Sequence, residues 1–297
     1  MMFRFLTSSI KGWGLRGTKF PLYIYKMYVL VTVLIIVSII FLTTYAYKKK
    51  ESFNERTKIP LDIYQTWHSK SLPPKMRTCI DKLKFDNPEF RHHLYDDDMC
   101  KKFIETSFDK DVLNAYVSLK PGAFKSDLWR YCILYKKGGV YLDIKYQCEP
   151  GFKLIDLVKY DNNVFVGEYE SENEPNPMGI DPVVIDEAVY TGLIISKPNN
   201  PVFYKVIQKI CDNVKNKYYD KYLTGQTGPV LFRKCFKKST LQNIKHGYYE
   251  VNHRGFIKNI YTNQLILSFY PEYRDEQKQF GKTKYWKDMW REKDVYL

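Results

Sequence analysis

Residues 122–145 decide the fold class, and they read GAFKSDLWRYCILYKKGGVYLDIK. The first part places apolar side chains at helical spacing, which predicts a helix over 122–137. The pair Gly138-Gly139 predicts the helix end, because glycine readily adopts the left-handed conformation that closes a helix. The apolar run Val140–Leu142 then predicts a strand that carries Asp143 at its carboxyl end. Open α/β sheets bind ligands at this edge, so Asp143 is expected at a functional site.

The flanking sequence alternates between strands and helices. Ile59–Trp67 and Phe90–Tyr95 predict strands, and the helices that follow them begin at Pro74 and after Asp96-Asp97-Asp98. The three aspartates are interpreted as capping residues, because a helix N-terminus presents free N–H groups to carboxylates. Further predicted elements are strands at Asn163–Gly167, Tyr190–Ser196, Tyr248–Val251 and Gln264–Phe269, and helices at Pro201–Lys215 and Pro229–Phe236. This alternation predicts an α/β fold.

Four segments are expected along the chain. Residues 1–26 form a basic tail, and the 21 residues of 27–47 carry no charge. At about 1.5 Å per residue they span a bilayer core of roughly 30 Å, which predicts a transmembrane signal-anchor, with a cleaved signal peptide as the alternative. Residues 48–58 are interpreted as a charged stalk and 59–297 as the catalytic domain. Five basic residues flank each side of the span, so the positive-inside rule leaves its orientation open.

Composition excludes several classes of protein. The chain of 297 residues is 44% hydrophobic with 15 Gly and 14 Pro, which excludes disordered and collagen-like chains. The net charge of +14 suits a phosphate-bearing substrate or an anionic membrane surface, and no basic block or motif favours a nucleic-acid partner. Six cysteines show no CxxC pair and no metal-ligand spacing, so several are interpreted as buried free thiols.

Three blocks of sequence together resemble a known enzyme family. They are Ile63–Trp67 with Leu72-Pro73-Pro74, Asn87–Phe90 with Tyr95–Asp97, and Ser126–Tyr131 with Gly138–Asp143. In this order they resemble sugar-nucleotide glycosyltransferases with a DxD motif. More narrowly, they resemble the family 32-like group of yeast Golgi initiating mannosyltransferases and inositolphosphoceramide mannosyltransferases, with the clostridial glucosylating toxins as distant relatives. The resemblance covers about residues 59–150 and implies a GT-A fold, a Rossmann-like mixed sheet flanked by helices.

The resemblance also implies the residues of a donor site. They are Gln65, Thr66, Trp67, Asp127, Arg130, Tyr141 and Asp143. Asp127 and Arg130 lie one helical turn apart and would meet the sugar and diphosphate of a UDP- or GDP-sugar, whereas 65–67 would border its base and ribose. Breaking the anomeric bond needs positive charge on the diphosphate, usually Mn²⁺ or Mg²⁺ on oxygen ligands such as Asp143. Transfer with retention of configuration is implied, through a covalent carboxylate intermediate or front-face departure.

The motif itself departs from the family pattern, because Asp143-Ile144-Lys145 replaces Asp-x-Asp. Asp143 and Lys145 are therefore the candidate catalytic pair, and three explanations stay open. Lys145 could neutralise the diphosphate as a fixed charge, which would make transfer independent of metal. The metal could persist on Asp143 with a second oxygen ligand, such as Glu149 or a residue of the loop Glu168–Glu174. The domain could also be degenerate, with the fold kept and transfer lost.

Three further residues complete the candidate set. His253 is a candidate third metal ligand, and Asp186 with Glu187 are candidates for the acceptor side. The predicted function is a membrane-anchored transferase that moves a hexose, mannose-like by default, from a nucleotide sugar to a glycan or glycolipid. Anchor and family imply a type II protein of the Golgi or another secretory membrane, and the Lys- and Tyr-rich composition suits a viral or protist genome. The alternative is a membrane-tethered binding or scaffold protein.

Overall fold

The computed structural model describes residues 22–56, 58–168, 188–241, 243–251, 254–282 and 284–297 of the chain. They fall into two compact units, divided between Glu55 and Arg56. Helix α1, Leu22–Arg56, runs up to this division and continues through most of the segment predicted as a stalk. Within α1, Lys26–Tyr45 has a mean hydropathy of 2.6 and is long and apolar enough to cross a membrane. Of the predicted tail, residues 1–21 lie outside the described residues.

The second unit is built on a mixed sheet that has nine strands in the described part of the chain. The strands are β1 Asp62–Thr66, β2 Arg91–Tyr95, β3 Gly139–Leu142, β4 Tyr146–Cys148, β5 Val164–Glu168, β6 Val189–Ser196, β7 His246–Val251, β8 Arg254–Asn259 and β9 Leu265–Phe269. Their spatial order is β2-β1-β3-β6-β5-β7-β8-β9-β4. The pairs β2/β1, β1/β3 and β5/β7 are parallel, and the other neighbours are antiparallel. The predicted α/β fold class is confirmed.

Helices cover both faces of this sheet. They are α2 Pro74–Asp86, α3 Asp97–Ser107, α4 Lys110–Ser118, α5 Gly122–Lys137, α6 Ile155–Val158, α7 Pro201–Lys215, α8 Pro229–Arg233, α9 Lys238–Leu241, α10 Tyr273–Phe280 and α11 Trp286–Arg291. The apolar residues of α3, α4, α5 and α7 belong to one core cluster, and those of α2 belong to another. Successive side chains of a strand point to opposite faces, so β3 sends Tyr141 into the first cluster and Val140 and Leu142 into the second.

Local sequence signals account for the predicted elements around α5 and α3. Gly138 ends α5 with φ +66°, and its N–H donates to the carbonyl of Leu134 at 2.9 Å, as the glycine pair predicts. Asp96 is the N-cap of α3 and accepts from the N–H of Met99 at 2.8 Å, which confirms the capping interpretation for that aspartate. The predicted helix Pro201–Lys215 is confirmed at both ends. All six cysteines are free, and five of them are buried.

Candidate active site

Asp143 directly follows β3, which pairs in parallel with β1 on one side and antiparallel with β6 on the other. Its N–H donates to the carbonyl of Gly192 on β6 at 2.8 Å, which fixes the backbone where the strand ends. The Tyr141 hydroxyl donates to Asp143 Oδ1 at 2.7 Å, and Lys145 Nζ lies 2.9 Å from Oδ2. The Asp143 side chain is 19% exposed, so a ligand at the carboxyl end of the sheet can approach this carboxylate.

Arg130 is the buried centre of the site. Its Nη1 donates to the carbonyl of Thr191 at 2.7 Å and lies 3.5 Å from Asp143 Oδ1. Its Nη2 lies 3.2 Å from Asp127 Oδ1, so these two residues share one face of α5, as their spacing predicts. The guanidinium also lies 4.5 Å from the centre of the Tyr141 ring. Arg130 therefore joins the two aspartates that the sequence assigns to the donor site.

Asp127 is held from its other side by the loop before α8. The Thr227 hydroxyl donates to Asp127 Oδ2 at 2.7 Å, and the same residue's carbonyl accepts from the Tyr131 hydroxyl at 3.2 Å. The Ser126 hydroxyl accepts from Arg130 Nη2 at 3.2 Å. Both oxygens of the Asp127 carboxylate thus have a cationic or hydroxyl partner, and the cluster is a continuous polar network.

The two aspartates of the network differ in electrostatics. Burial opposes ionisation of Asp143, but the charges of Lys145 and Arg130 outweigh it and lower the pKa of that carboxyl. For Asp127, burial raises the pKa even though Arg130 and Thr227 favour the ionised form. Asp143 is therefore the more strongly acidic of the two groups. At neutral pH it is a fixed anion that orients the two cations beside it.

Lys145 lies in a cage of aromatic rings. Its Nζ is 4.6 Å from the centre of the Phe269 ring, 5.7 Å from those of Tyr146 and Tyr190, and 5.9 Å from that of Tyr273. The side chain is only 14% exposed. Ring faces attract a cation, and the attraction grows as water is excluded. The rings therefore hold the ammonium beside Asp143. None of the four rings carries a negative charge that would compete with Asp143 for the ammonium.

The strand end of β1 adds the residues predicted to border the base and ribose. Gln65 is buried, and its Nε2 donates to the backbone carbonyl of Asp143 at 3.4 Å, which joins the two strand ends. His92 Nε2 lies 2.6 Å from Gln65 Oε1 and must donate, because a carbonyl oxygen only accepts. Thr66 donates to a carbonyl of β2 at 3.0 Å. Trp67 follows, and its buried indole N–H has no hydrogen-bond partner among the described residues.

The described residues at this site do not fit a divalent metal. In the part of the chain that the structure describes, no group of three His, Cys, Asp or Glu side chains could hold a metal ion. Asp143 has both carboxylate oxygens engaged, one of them by the ammonium of Lys145. Glu149, the expected alternative ligand, lines a surface cleft with Phe85 and Lys153 that does not include Asp143. The expected Mn²⁺ or Mg²⁺ ligand set is therefore not assembled here.

Three candidate residues fall outside the described part of the chain. They are His253, expected as a third metal ligand, and Asp186 and Glu187, expected on the acceptor side. The loop Glu168–Glu174, expected as a source of a second metal ligand, lies outside it from residue 169 onward. Their roles remain predictions from sequence.

Comparison with known proteins places the site within a family. Residues 73–157 match the family described as a glycosyltransferase sugar-binding region containing a DXD motif. A glycosyltransferase of Acanthamoeba polyphaga mimivirus is 27% identical over 187 residues, which cover 62% of this chain and 67% of that protein. Residues 73–157 thus carry the sugar-binding region of this glycosyltransferase family. The resemblance inferred from the sequence blocks is thereby confirmed.

Fungal relatives are matched over smaller shares of their own length. The initiation-specific alpha-1,6-mannosyltransferase of Candida albicans is 33% identical over 98 residues, which cover 31% of this chain and 26% of that protein. A mannosyl phosphorylinositol ceramide synthase of Saccharomyces cerevisiae is 25% identical over 214 residues, covering 67% of this chain and 49% of the relative. The chain thus spans between a quarter and a half of these two fungal proteins. Among solved structures, the PaToxG glycosyltransferase has a TM-score of 0.41 at 17% identity and covers 67% of this chain and 81% of its own.

Sequence reasoning missed the groups that complete the network. The Ser126 hydroxyl, the Thr191 carbonyl and the Thr227 hydroxyl contact Arg130 or Asp127 but carry no motif of their own. Ser126 stands inside the quoted family block Ser126–Tyr131, which was the available signal. The rings around Lys145 come from β4, β6, β9 and α10, and nothing in their local sequence separates them from core aromatic residues.

Proposed function

We propose that the chain is a membrane-anchored glycosyltransferase that moves a hexose, mannose by default, from a UDP- or GDP-sugar to a glycan or glycolipid. One observation carries the proposal. It is the ionic cluster of Asp127, Arg130, Asp143 and Lys145 at the carboxyl end of β3, inside the segment that matches the family. The mannosyltransferase names of the fungal relatives favour mannose as the sugar and a glycan or a glycolipid as the acceptor.

The cluster suits departure of a diphosphate. As the anomeric bond of the donor breaks, negative charge develops on the leaving phosphate, and fixed cations stabilise that charge in a site with little water. Arg130 and Lys145 are such cations, because Asp127, Asp143 and the surrounding rings hold their heads in place. A divalent metal supplies the same charge in many enzymes of the family, but the residues described here do not assemble a site for one.

The engagement of the carboxylates favours one of the two retaining routes. Both oxygens of Asp127 and both of Asp143 already contact a hydroxyl or a cation. A nucleophilic carboxylate must turn one oxygen to the anomeric carbon, and here the contacts of both carboxylates hold their oxygens towards protein groups. We therefore favour front-face departure, in which an oxygen of the leaving phosphate takes the proton of the acceptor hydroxyl, over a covalent intermediate on either aspartate.

The donor base is expected on the β1 side of the cluster. Gln65 joins the end of β1 to the backbone of Asp143, so Gln65 to Trp67 adjoin the proposed diphosphate position. The Trp67 ring is half-buried and can present a face to a planar base, as aromatic side chains do in many such sites. Gln65 itself is occupied by His92 and Asp143 and acts as a positioning residue.

Helix α1 supports membrane attachment. Its apolar stretch Lys26–Tyr45 is long enough for a bilayer, and its side chains are exposed in the structure. A type II arrangement in the Golgi or another secretory membrane would place the second unit in the lumen with a glycan or glycolipid acceptor. Equal numbers of basic residues on the two sides of the span leave the opposite arrangement to be tested by protease protection of intact vesicles.

Release of nucleoside diphosphate from a panel of UDP- and GDP-sugars tests the proposed activity. The full-length chain is purified in detergent and compared with Asp143→Asn and with the matched control Asp156→Asn, an exposed aspartate that pairs with Lys159. We expect release from at least one donor, lowered about 10²-fold or more in Asp143→Asn and unchanged in Asp156→Asn. Binding of nucleotide without release from any donor would instead favour the scaffold alternative. Equal rates in both variants would contradict the placement of the site.

A further inference from the structure

The turn that follows β3 is fixed on both sides, so Lys145 has a defined position. The carbonyl of Asp143 accepts from the N–H of Tyr146 at 3.1 Å, which closes the turn before β4. The carbonyl of Lys145 accepts from the N–H of Tyr270 at 3.0 Å, which ties the turn to the end of β9. Lys145 is therefore anchored through its own backbone before its side chain makes any contact.

The side chain of Lys145 is also held, although lysine is usually a mobile surface residue. Its Nζ contacts Asp143 at 2.9 Å and lies over rings from three strands and one helix. Two of those rings are themselves joined, because the Tyr146 hydroxyl donates to that of Tyr190 at 2.8 Å. A side chain with this many fixed neighbours loses little further freedom when it binds a ligand.

The net formal charge of the motif is the same with Lys145 as with a second aspartate and a bound metal. In an Asp-x-Asp motif, two carboxylates hold a divalent cation, and the formal charges of the three groups sum to zero. In this chain the Asp143 carboxylate and the Lys145 ammonium also sum to zero. The substitution of the second aspartate by lysine therefore leaves the motif with the same net charge as the metal-loaded Asp-x-Asp, at the residue where the metal would be bound.

We propose that the Lys145 ammonium, held by Asp143 and its ring cage, takes the place of the divalent metal, so that the chain binds a nucleoside diphosphate without a metal. The proposal rests on the proposed function, because it assigns the cation to the same donor site. Arg130 Nη1 lies 3.5 Å from Asp143 Oδ1 and Lys145 Nζ lies 2.9 Å from Oδ2, so the two cations flank one carboxylate, and the diphosphate would contact the Lys145 ammonium. Lys145 is a donor-binding residue in this account, and Phe269 and Tyr273 are positioning residues.

Titration calorimetry of UDP and GDP into the full-length chain in detergent tests the proposal, in EDTA and in Mn²⁺. We expect wild type to bind one of the nucleotides with dissociation constants that agree within about twofold in the two conditions. Lys145→Asp restores Asp-x-Asp and should lose at least about tenfold in affinity in EDTA and recover it in Mn²⁺. Lys145→Arg, which keeps the charge, should stay independent of metal. Lys101→Asp, the same charge reversal at an exposed lysine of α3, should bind like wild type.

Each result decides between the alternatives. Wild-type binding that requires Mn²⁺ would overturn the role of Lys145 and leave the proposed function intact. Equal affinities of Lys145→Asp and wild type in EDTA would also overturn it. Absence of nucleotide binding by wild type in both conditions would overturn this proposal together with the proposed function. Because the wild-type comparison needs no variant, a Lys145→Asp chain that fails to fold would still leave the proposal open to refutation.

Discussion

Replacement of Arg130 by methionine should lower the free energy of unfolding of the second unit more than removal of any single exposed charge would. Methionine keeps much of the side-chain volume but removes the guanidinium that lies between Asp127 and Asp143. Those carboxylates are only 12% and 19% exposed, and the carbonyl of Thr191 loses its donor at 2.7 Å. Removing one partner of a buried ionic network typically costs about 3–5 kcal/mol. For a unit of this size, each kcal/mol lowers the melting temperature by about 2–4 °C, so we expect a decrease of roughly 6–20 °C.

Thermal unfolding of the full-length chain in detergent, followed by tryptophan fluorescence, measures this effect. The matched control is Arg291→Met, because Arg291 pairs with Asp288 at 3.0 Å on the surface with side chains 63% and 43% exposed. An exposed pair of this kind contributes less than about 1 kcal/mol. The double variant Arg130→Met with Asp127→Asn should cost less than the sum of its single changes, since one uncompensated carboxylate is removed. A melting temperature for Arg130→Met no lower than that of Arg291→Met would refute the account of the ionic cluster.

Three further predictions concern stability. Glu276 accepts from the N–H groups of Lys75 and Met76 at 2.8 and 2.9 Å and so caps α2 from a distant part of the chain. Glu276→Gln should lower the free energy of unfolding in urea by about 1–2 kcal/mol, whereas Glu272→Gln, at an exposed side chain, should leave it almost unchanged. Burial lowers the pKa of His246 from 6.5 to about 4, so the unfolded state binds a proton at a higher pH than the folded state does. The free energy of unfolding should therefore decrease as the pH falls from 6.5 to 4, and His246→Asn should make that decrease shallower. An equally steep decrease in the variant would show that His246 is not the group responsible. A Cβ added to Gly139 (φ +95°) would lie 2.7 Å from a backbone oxygen, whereas a Cβ added to Gly151 (φ +81°) would face open space. Gly139→Ala should therefore lower the melting temperature well below that of Gly151→Ala. Equal melting temperatures of the two variants would exclude the steric argument.

The sequence predicts the fold best where its signals are local. The end of α5 at Gly138, the Asp96 cap of α3 and the strand before Asp143 each depend on neighbouring residues, and the structure confirms them. Helix α4 was missed although Asp109 caps it, because a single aspartate before nine residues is a weak signal among many. Strand β4 has three residues and is defined only by its partner β9, which no local pattern reveals.

For the site, too, local spacing was predictable from the sequence and long-range packing was not. Asp127 and Arg130 were predicted to share a face because three residues make nearly one helical turn, and their 3.2 Å contact confirms that placement. Their roles in donor binding remain proposals. The aromatic cage of Lys145 could not be predicted, because Tyr190, Phe269 and Tyr273 meet only through the sheet topology. A motif locates the charged residues, whereas long-range packing decides what surrounds them.

The most direct test of the central claim is a crystal structure of the chain with GDP or UDP bound in the presence of EDTA. The account predicts that an oxygen of the diphosphate lies within hydrogen-bond distance of Lys145 Nζ, with the base on the side of Gln65 and Trp67. A nucleotide bound elsewhere on the second unit, with Lys145 still paired only to Asp143, would contradict the assignment of this cluster as the donor site.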